Sequence, residues 1–193
     1  MISLSTTIET VHCTLRRFSK EDISFIFSAS QHPGFCDGMR WEPPATEKEL
    51  ILPYERNVNA WDSGSAYTFT IELKDSKIPV GRIVIRLQNG NCWELGFWTH
   101  PDYQGRGYMT EAAAALIDFG FKTLAAGKIE AGHAVWNISS RRVMEKTGMT
   151  FARHVPQGFQ KDGKWVAEDI LAITRQEWKD RIVQIVPVRS KQE

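Results

Sequence analysis

Cys92-Trp-Glu-Leu-Gly-Phe-Trp-Thr99, His100-Pro-Asp-Tyr-Gln-Gly-Arg-Gly107 and Tyr108-Met-Thr-Glu-Ala-Ala-Ala-Ala-Leu116 follow one another without a gap and change character twice. The first reads as a strand, the second as a turn, and the third as a helix with alanines at 112–115 and an apolar face at Leu116 and Phe119. A glycine-dense turn that feeds directly into a helix leaves several backbone N–H groups unpaired and facing outward, where the helix dipole adds positive potential. Such a turn suits a phosphate. Two familiar phosphate loops do not fit: there is no GxxxxGK[ST], because Gly120 and Gly127-Lys128 stand too far apart. Thr110 also occupies the place where a dinucleotide loop needs its third glycine.

Before this stretch, Ala66 to Leu73 and Pro79 to Leu87 are rich in β-formers, with a turn at Lys74 to Lys77. Asn89-Gly90 is a hairpin signal, since both residues tolerate positive φ, so Cys92 to Thr99 is expected antiparallel to the strand before it. After it, the helix is predicted to run from Tyr108 to Ala125 with Gly127 as its stop. Ile129 to Trp136 is a further strand, which the intervening helix sets parallel to Cys92–Thr99 through a right-handed crossover. Asn137 to Lys146 reads as a short helix closed by Gly148. Phe151–Phe159 and Trp165–Thr174 form a hairpin across Lys161-Asp-Gly163, with a last short helix at Arg175 to Ile182.

At the other end, Val11 to Phe18 alternates as a strand, and Ser19 with Asp22 can cap a helix through Ile23, Ile26 and Phe27. His32 to Pro44 is an ordered loop. Thr46 can cap a second helix that Pro53 should interrupt or kink and Ser63-Gly64 should end. The fold class is therefore α/β with a mixed sheet: an antiparallel meander, a βαβ unit and a closing hairpin. The 193 residues fit one domain, with a core over about 10–178 and a tail over 186–193.

Composition excludes more than it assigns. Hydrophobic residues at 42% and charged residues at 24% are those of an ordinary globular chain. Lys plus Arg number 24 against 23 Asp plus Glu, so no global field draws nucleic acid or an anionic membrane, and any anionic ligand must be held locally. Cys13, Cys36 and Cys92 are odd in number and lack CxxC spacing, which suggests neither a disulfide framework nor a zinc site. His12, His32, His100, His133 and His154 are scattered without ligand spacing, so no metal is expected. Met1 to Thr10 lacks the pattern of a signal peptide, and no apolar run reaches the roughly 18 residues of a membrane span. The cytoplasm is the expected location.

The turn Gln104-Gly105-Arg106-Gly107-Tyr108-Met109 resembles the pyrophosphate loop of the GNAT superfamily of N-acetyltransferases, [Gln/Arg]-x-x-Gly-x-[Gly/Ala], with Met109 where Gly or Ala is usual. Five further stretches extend the resemblance to its RimJ/RimL-type branch, which acetylates ribosomal-protein N-termini. They are Thr14 to Asp22, Trp41-Glu-Pro-Pro44, Glu94-Leu-Gly-Phe-Trp98, Thr110-Glu-Ala112, and Asn137-x-x-Ser140-x-x-Val143-x-Glu145-Lys146-x-Gly148-Met149. The resemblance implies acetyl-coenzyme A as donor and a primary amine, on a protein N-terminus or a small molecule, as acceptor. It implies that Phe97, Trp98 and Thr99 pair with the pantetheine arm and Asn137 holds that arm from the other side. Amides from Gln104 through Gly105, Arg106, Gly107, Tyr108 and Met109 to Thr110 would hold the pyrophosphate. Phe35, Met39 and Trp41 fall where the family builds its acceptor cleft, or else form a satellite apolar cluster. Arg106, Arg141, Arg142 and Lys146 are candidates for the 3′-phosphate or simply solvated charges. A monomer and a homodimer are equally compatible with the sequence.

Acetyl transfer needs the amine to lose a proton and the departing thiolate to gain one. Glu94, a lone carboxylate in a strand apolar on both faces, is the first candidate base; a rim carboxylate paired with Arg82 or Arg86 is the alternative. Glu168 and Asp169 are second candidates. For the acid, the family's usual tyrosine is replaced by Met144; Ser140 matches the branch's serine and could donate to sulfur, or merely cap its helix. His100 could relay a proton or start a turn. Met109 and Met144 also leave open a non-catalytic acyl-coenzyme A sensor.

Overall fold

The structure is a computed structural model that describes residues 2–185; the expected tail over 186–193 lies outside the described residues. Eight strands make one mixed sheet in the order β1-β2-β3-β4-β5-β6-β8-β7. The strands β1 (Ile8–Glu9), β2 (Cys13–Arg17), β3 (Ala66–Leu73), β4 (Pro79–Leu87) and β5 (Cys92–Thr99) are successive antiparallel neighbours. Helix α3 (Tyr108–Lys122) carries the chain over to β6 (Lys128–Ala134), which is parallel to β5. The closing hairpin places β8 (Lys164–Thr174) against β6 and leaves β7 (Thr150–Lys161) at the sheet edge.

Period-two alternation sorts the strands onto two faces. Phe69, Ile71, Ile83, Ile85, Leu95, Ile129, Ala131 and Leu171 form the main core with Ala112, Leu116, Ile117 and Phe121 of α3 and Met144 of α4 (Ile138–Lys146). Gly120 lets α3 lie close, since a Cβ there would stand 2.7 Å from the Ile129 Cδ1. The opposite face carries α1 (Ile23–Ser30) and the start of α2 (Ile51–Ser63) over a smaller cluster of Phe18, Ile23, Ile26 and Leu50. Polar residues of that face are tied to the helices: the Thr70 hydroxyl donates to Asp22 at 2.8 Å and Arg82 donates to Asn57 at 2.8 Å. Helix α5 (Arg175–Ile185) closes the described chain.

Several boundaries depart from expectation. Pro53 neither interrupts nor kinks α2, because a 3-10 turn over Glu47–Leu50 delays the α-helix to Ile51 and leaves Pro53 in its first turn, where no N–H is needed. Gly90 alone of the Asn89-Gly90 pair has positive φ, +65°, within a wider loop. Helix α3 stops at Lys122, before Gly127, with Ala125 itself at φ +55° and the Ala126 N–H returned to the Gly120 carbonyl at 3.0 Å. The short β1 has no sequence signal strong enough to predict.

Candidate active site

What positions the site is a failure of pairing. β5 and β6 are joined only at Cys92–Lys128, Trp93–Ile129 and Glu94–Glu130; from Leu95 onward β5 has no neighbour on that side. The strands part around a cleft of about 930 Å³. Its walls are Leu95 to Thr99 of β5, Gly132 and His133 of β6, Tyr103 to Thr110 of the turn and the start of α3, Trp136 and Asn137, the α4 residues Ser139, Ser140, Arg142, Val143, Met144 and Lys146, and His32 to Phe35 with Gly38 and Met39 of the loop after α1.

At the cleft's outer end the turn is held by its own side chains. His100 Nδ1 accepts the Asp102 N–H at 3.3 Å, and the Gln104 side chain donates to the Thr99 carbonyl at 3.2 Å. Gly105 at φ +76° and Gly107 at φ +85° then turn the backbone through the left-handed region, with open space where a Cβ would stand. The first N–H beyond them with a backbone acceptor is that of Glu111, bonded to the Gly107 carbonyl at 3.1 Å. Among the described residues the N–H groups from Gly105 to Thr110 have no protein acceptor. They sit at the positive end of a 15-residue helix.

Met109 does not crowd this array. Its side chain is buried beneath β4, where the absent Cβ of Gly81 leaves room: a Cβ there would be 3.3 Å from the Met109 Cε and 2.7 Å from the Trp98 carbonyl oxygen. Glu111 pins the helix start to the amino-terminal turn by accepting from the Thr10 hydroxyl, the His12 N–H and the His12 ring. Burial pushes the Glu111 carboxyl up, but these bonds hold it below the usual carboxylate range. Arg106 folds back, donating to the Asp102 carbonyl at 3.1 Å with its guanidinium 5.4 Å from the Tyr103 ring centre.

On the far wall Asn137 caps α4, its Oδ1 accepting the Ser140 N–H at 3.1 Å while its amide nitrogen turns toward Gly38. The Ser140 hydroxyl lines the cleft. Met144 is 1% exposed and fills the wall below it. Arg142 and Lys146 also line the cleft and form no ion pair among the described residues, whereas Arg141 is bonded to Glu145 at 2.8 Å.

The other mouth is apolar. Phe35, Met39, Trp98 and Trp136 line it, with Phe35 edge-on to Trp98 at 5.3 Å. Trp41, expected with them, lies behind the wall and is corrected to a supporting position: its indole N–H donates to the Met39 sulfur at 3.1 Å and its ring packs on the α1 cluster. Arg40 bonds Glu168 at 2.8 Å, and Lys161 bonds Glu42 at 2.7 Å and the Trp41 carbonyl at 3.1 Å, latching this loop to the closing hairpin.

The carboxylates fall elsewhere than expected. Glu94 stands in the last paired rung, at the closed end of the split, half-buried and bonded by Gln88 at 2.7 Å; it is absent from the cleft wall. Isolation in an apolar strand suggested full burial, but the Glu94 side chain reaches the surface beside Gln88. Glu168 is 6% exposed and lies behind Gly132, whose Cβ would stand 3.3 Å from its Oε1. Asp169 faces the opposite way, accepting from His154 at 2.7 Å beside a separate pocket of about 280 Å³. His100 is buried under Phe25 and His32, and burial pushes its imidazole down from the ordinary value. His32, His100 and Asp102 bring ligand-type atoms within 4.8 Å of one another, yet both His100 nitrogens already serve Asp102 and Ser28. The wall residue that sequence reasoning passed over is His133; its only signal was parity, a polar residue in step with Ile129 and Ala131 on the buried face.

Among the described residues no helix is long and apolar enough to cross a membrane. The acetyltransferase (GNAT) domain family matches residues 12–150. The chain is 34% identical over 172 residues to the uncharacterized N-acetyltransferase YnaD of Bacillus subtilis (strain 168), covering 89% of this chain and 98% of that one. A GNAT-family acetyltransferase from Bacillus anthracis superposes with a TM-score of 0.79 at 26% identity over 89% of this chain and 99% of its own. RimL, a ribosomal L7/L12 alpha-N-protein acetyltransferase in complex with coenzyme A, shares the fold with a TM-score of 0.80 at 15% identity, over 88% and 98% of the two chains. A mixed sheet parted beside a row of free amides thus coincides with the family match: the chain belongs to the GNAT acetyltransferase family and is an N-acetyltransferase.

Proposed function

We propose that the chain transfers an acetyl group from acetyl-coenzyme A to a primary amine, on a protein N-terminus as in the RimJ/RimL-type branch or on a small molecule, by direct attack of the amine on the thioester. The observation that carries this is the run of unpartnered N–H groups from Gly105 to Thr110 at the mouth of the split. A pyrophosphate there satisfies donors that otherwise reach only water, and the amide-bearing pantetheine arm extends along the free edge of β5 at Phe97, Trp98 and Thr99 as an added strand does. Asn137 offers its amide nitrogen from the opposite wall, and Arg142 and Lys146 supply positive charge for a further phosphate. The Ser140 hydroxyl is suited to hydrogen-bond the departing sulfur.

The cleft wall contains no Asp or Glu, and its acceptor mouth is lined by Phe35, Met39, Trp98 and Trp136. An acceptor with several positive charges, such as a polyamine, finds no counter-ion there. An α-amine with pKa of about 7.7–8.0 is already roughly a tenth neutral at pH 7, whereas a lysine amine at about 10.4 costs about 4–5 kcal/mol to deprotonate at that pH. Peptide N-termini and uncharged small amines fit best. The free cysteines Cys13, Cys36 and Cys92 accord with a reducing cytoplasm.

The test is thiol release from acetyl-coenzyme A with a panel of short peptides, aromatic and aliphatic amines, polyamines and aminoglycosides. The expected outcome is turnover on peptides or uncharged amines with little on polyamines. Tight coenzyme A binding with silence across the panel overturns catalysis in favour of a second reading, a non-catalytic acyl-coenzyme A sensor, which the buried Met144 in place of the family's tyrosine favours.

A further inference from the structure

His133 is a wall residue that acetyl transfer, as described so far, leaves without a task. Its imidazole is 3% exposed, and its Nδ1 lies 2.8 Å from the Ala134 carbonyl oxygen. That contact needs a hydrogen on Nδ1, so in the neutral ring Nε2 carries a bare lone pair. Nε2 is buried with no hydrogen-bond partner among the described residues. Native interiors seldom keep such an atom idle. The other two side-chain atoms in this condition, the indole nitrogens of Trp61 and Trp93, belong to residues of the core; His133 lines the cleft.

The surroundings isolate the ring further. The residue also borders the smaller pocket, whose charged lining groups are Arg141 and Glu145 of α4 and Asp169 of β8. Each is engaged without it: Arg141 with Glu145 at 2.8 Å, and Asp169 with His154 of β7 at 2.7 Å. The charged residues lining the cleft are Arg106, Arg142 and Lys146, and no carboxylate is among them. His32, the other imidazole of the wall, is half-exposed and packed edge-on against His100 at 5.1 Å. Met144 fills the place from which the family's tyrosine would serve the sulfur.

We propose that Nε2 of His133 accepts the proton of the attacking amine and then delivers it to the coenzyme A sulfur. The inference rests on the acetyl-transfer reading above. As the nitrogen–carbon bond forms, the amine proton moves to Nε2. The carbon–sulfur bond breaks with its electron pair on sulfur, and the proton passes from Nε2 to that sulfur. The imidazole returns to neutral, and the products are an amide and a free thiol. One ring thereby does the work of a base and an acid.

The test pairs kinetics with a measurement that needs no acceptor. His133→Asn keeps an N–H near the Nδ1 position for the Ala134 carbonyl and removes Nε2. On peptides that the wild type acetylates, kcat falls about 10²–10³-fold while the coenzyme A Kd from calorimetry stays within about twofold. The loss shrinks for acceptors of lower amine pKa, which a purely structural role would not produce. In nitrogen NMR of the imidazoles, the His133 Nε2 signal, identified by its absence in His133→Asn, moves when coenzyme A saturates the cleft. An unmoved Nε2 signal, or a variant within about threefold of wild type on all acceptors, overturns the proposal. A wild type silent on every acceptor overturns acetyl transfer instead, while the NMR result still decides whether Nε2 meets the contents of the cleft.

Discussion

Arg40 and Glu168 meet at 2.8 Å where the loop after α1 touches the closing hairpin, the arginine side chain 63% exposed and the glutamate 7%. A solvated loop residue thus covers a carboxylate that the closing hairpin has buried. Arg40→Met leaves Glu168 unpaired in the interior, and the expected cost is about 1–3 kcal/mol of stability. Combining it with Glu168→Gln restores most of that loss, since the pair is removed together. Denaturant midpoints of the two single variants and the double variant measure the coupling. The freed loop should also raise the acceptor KM more than the acetyl-coenzyme A KM.

Asn137 does two jobs with the two halves of one amide. Asn137→Asp keeps the oxygen that caps α4 and loses the N–H that faces the cleft, so melting is unchanged and coenzyme A binding weakens. Asn137→Ala loses both, costing about 0.5–2 kcal/mol of stability as well. Calorimetry alongside thermal melts separates the roles; equal binding by both variants and the wild type would remove Asn137 from the coenzyme site.

Two glycines beside the cleft should respond differently to alanine. At Gly81 a Cβ would stand 2.7 Å from the Trp98 carbonyl, so Gly81→Ala forces β4 and β5 apart and costs about 1–3 kcal/mol. At Gly105 the space is open and only the φ of +76° resists, so Gly105→Ala costs about 1–2 kcal/mol, with its main effect on coenzyme A affinity. Melting temperatures and coenzyme A titrations of both variants check the contrast.

Acid should expose the contribution of Glu130. Hydrogen bonds from Arg153, joined by Lys128, outweigh burial and lower its carboxyl from 4.5 to about 2. Because the folded value lies below the unfolded one, the stabilisation is complete above pH 4.5 and is lost as pH falls toward about 2. Arg153 is 52% exposed, so screening limits the worth of the cluster to about 1 kcal/mol. Glu130→Gln should lower the urea midpoint at pH 7 and converge with wild type near the acid limit.

The strands from Ala66 to Thr99 were legible because alternation and turn chemistry are local, and the turn at Gly105 and Gly107 because left-handed backbone demands glycine. The parting of β5 from β6 was not, since how far two parallel strands pair is a non-local matter that neither strand's own residues encode. That single non-local fact moved Glu94 out of the cleft wall. Glu168 was hidden by the register shifts of β7 between Phe151 and Arg153 and between Val155 and Phe159, which no strand pattern announces. Trp41 looked like Phe35 in the same loop and is likewise half-buried, but it packs on the α1 cluster and is absent from the cleft lining.

The short seam between β5 and β6 also bears on solubility. An unsatisfied strand margin ordinarily invites a foreign chain to dock and seed aggregates. Here the margin is interior, on the side of β5 that faces β6 across the cleft. Free strand backbone is thereby kept away from the sheet's outer border, where that hazard lies.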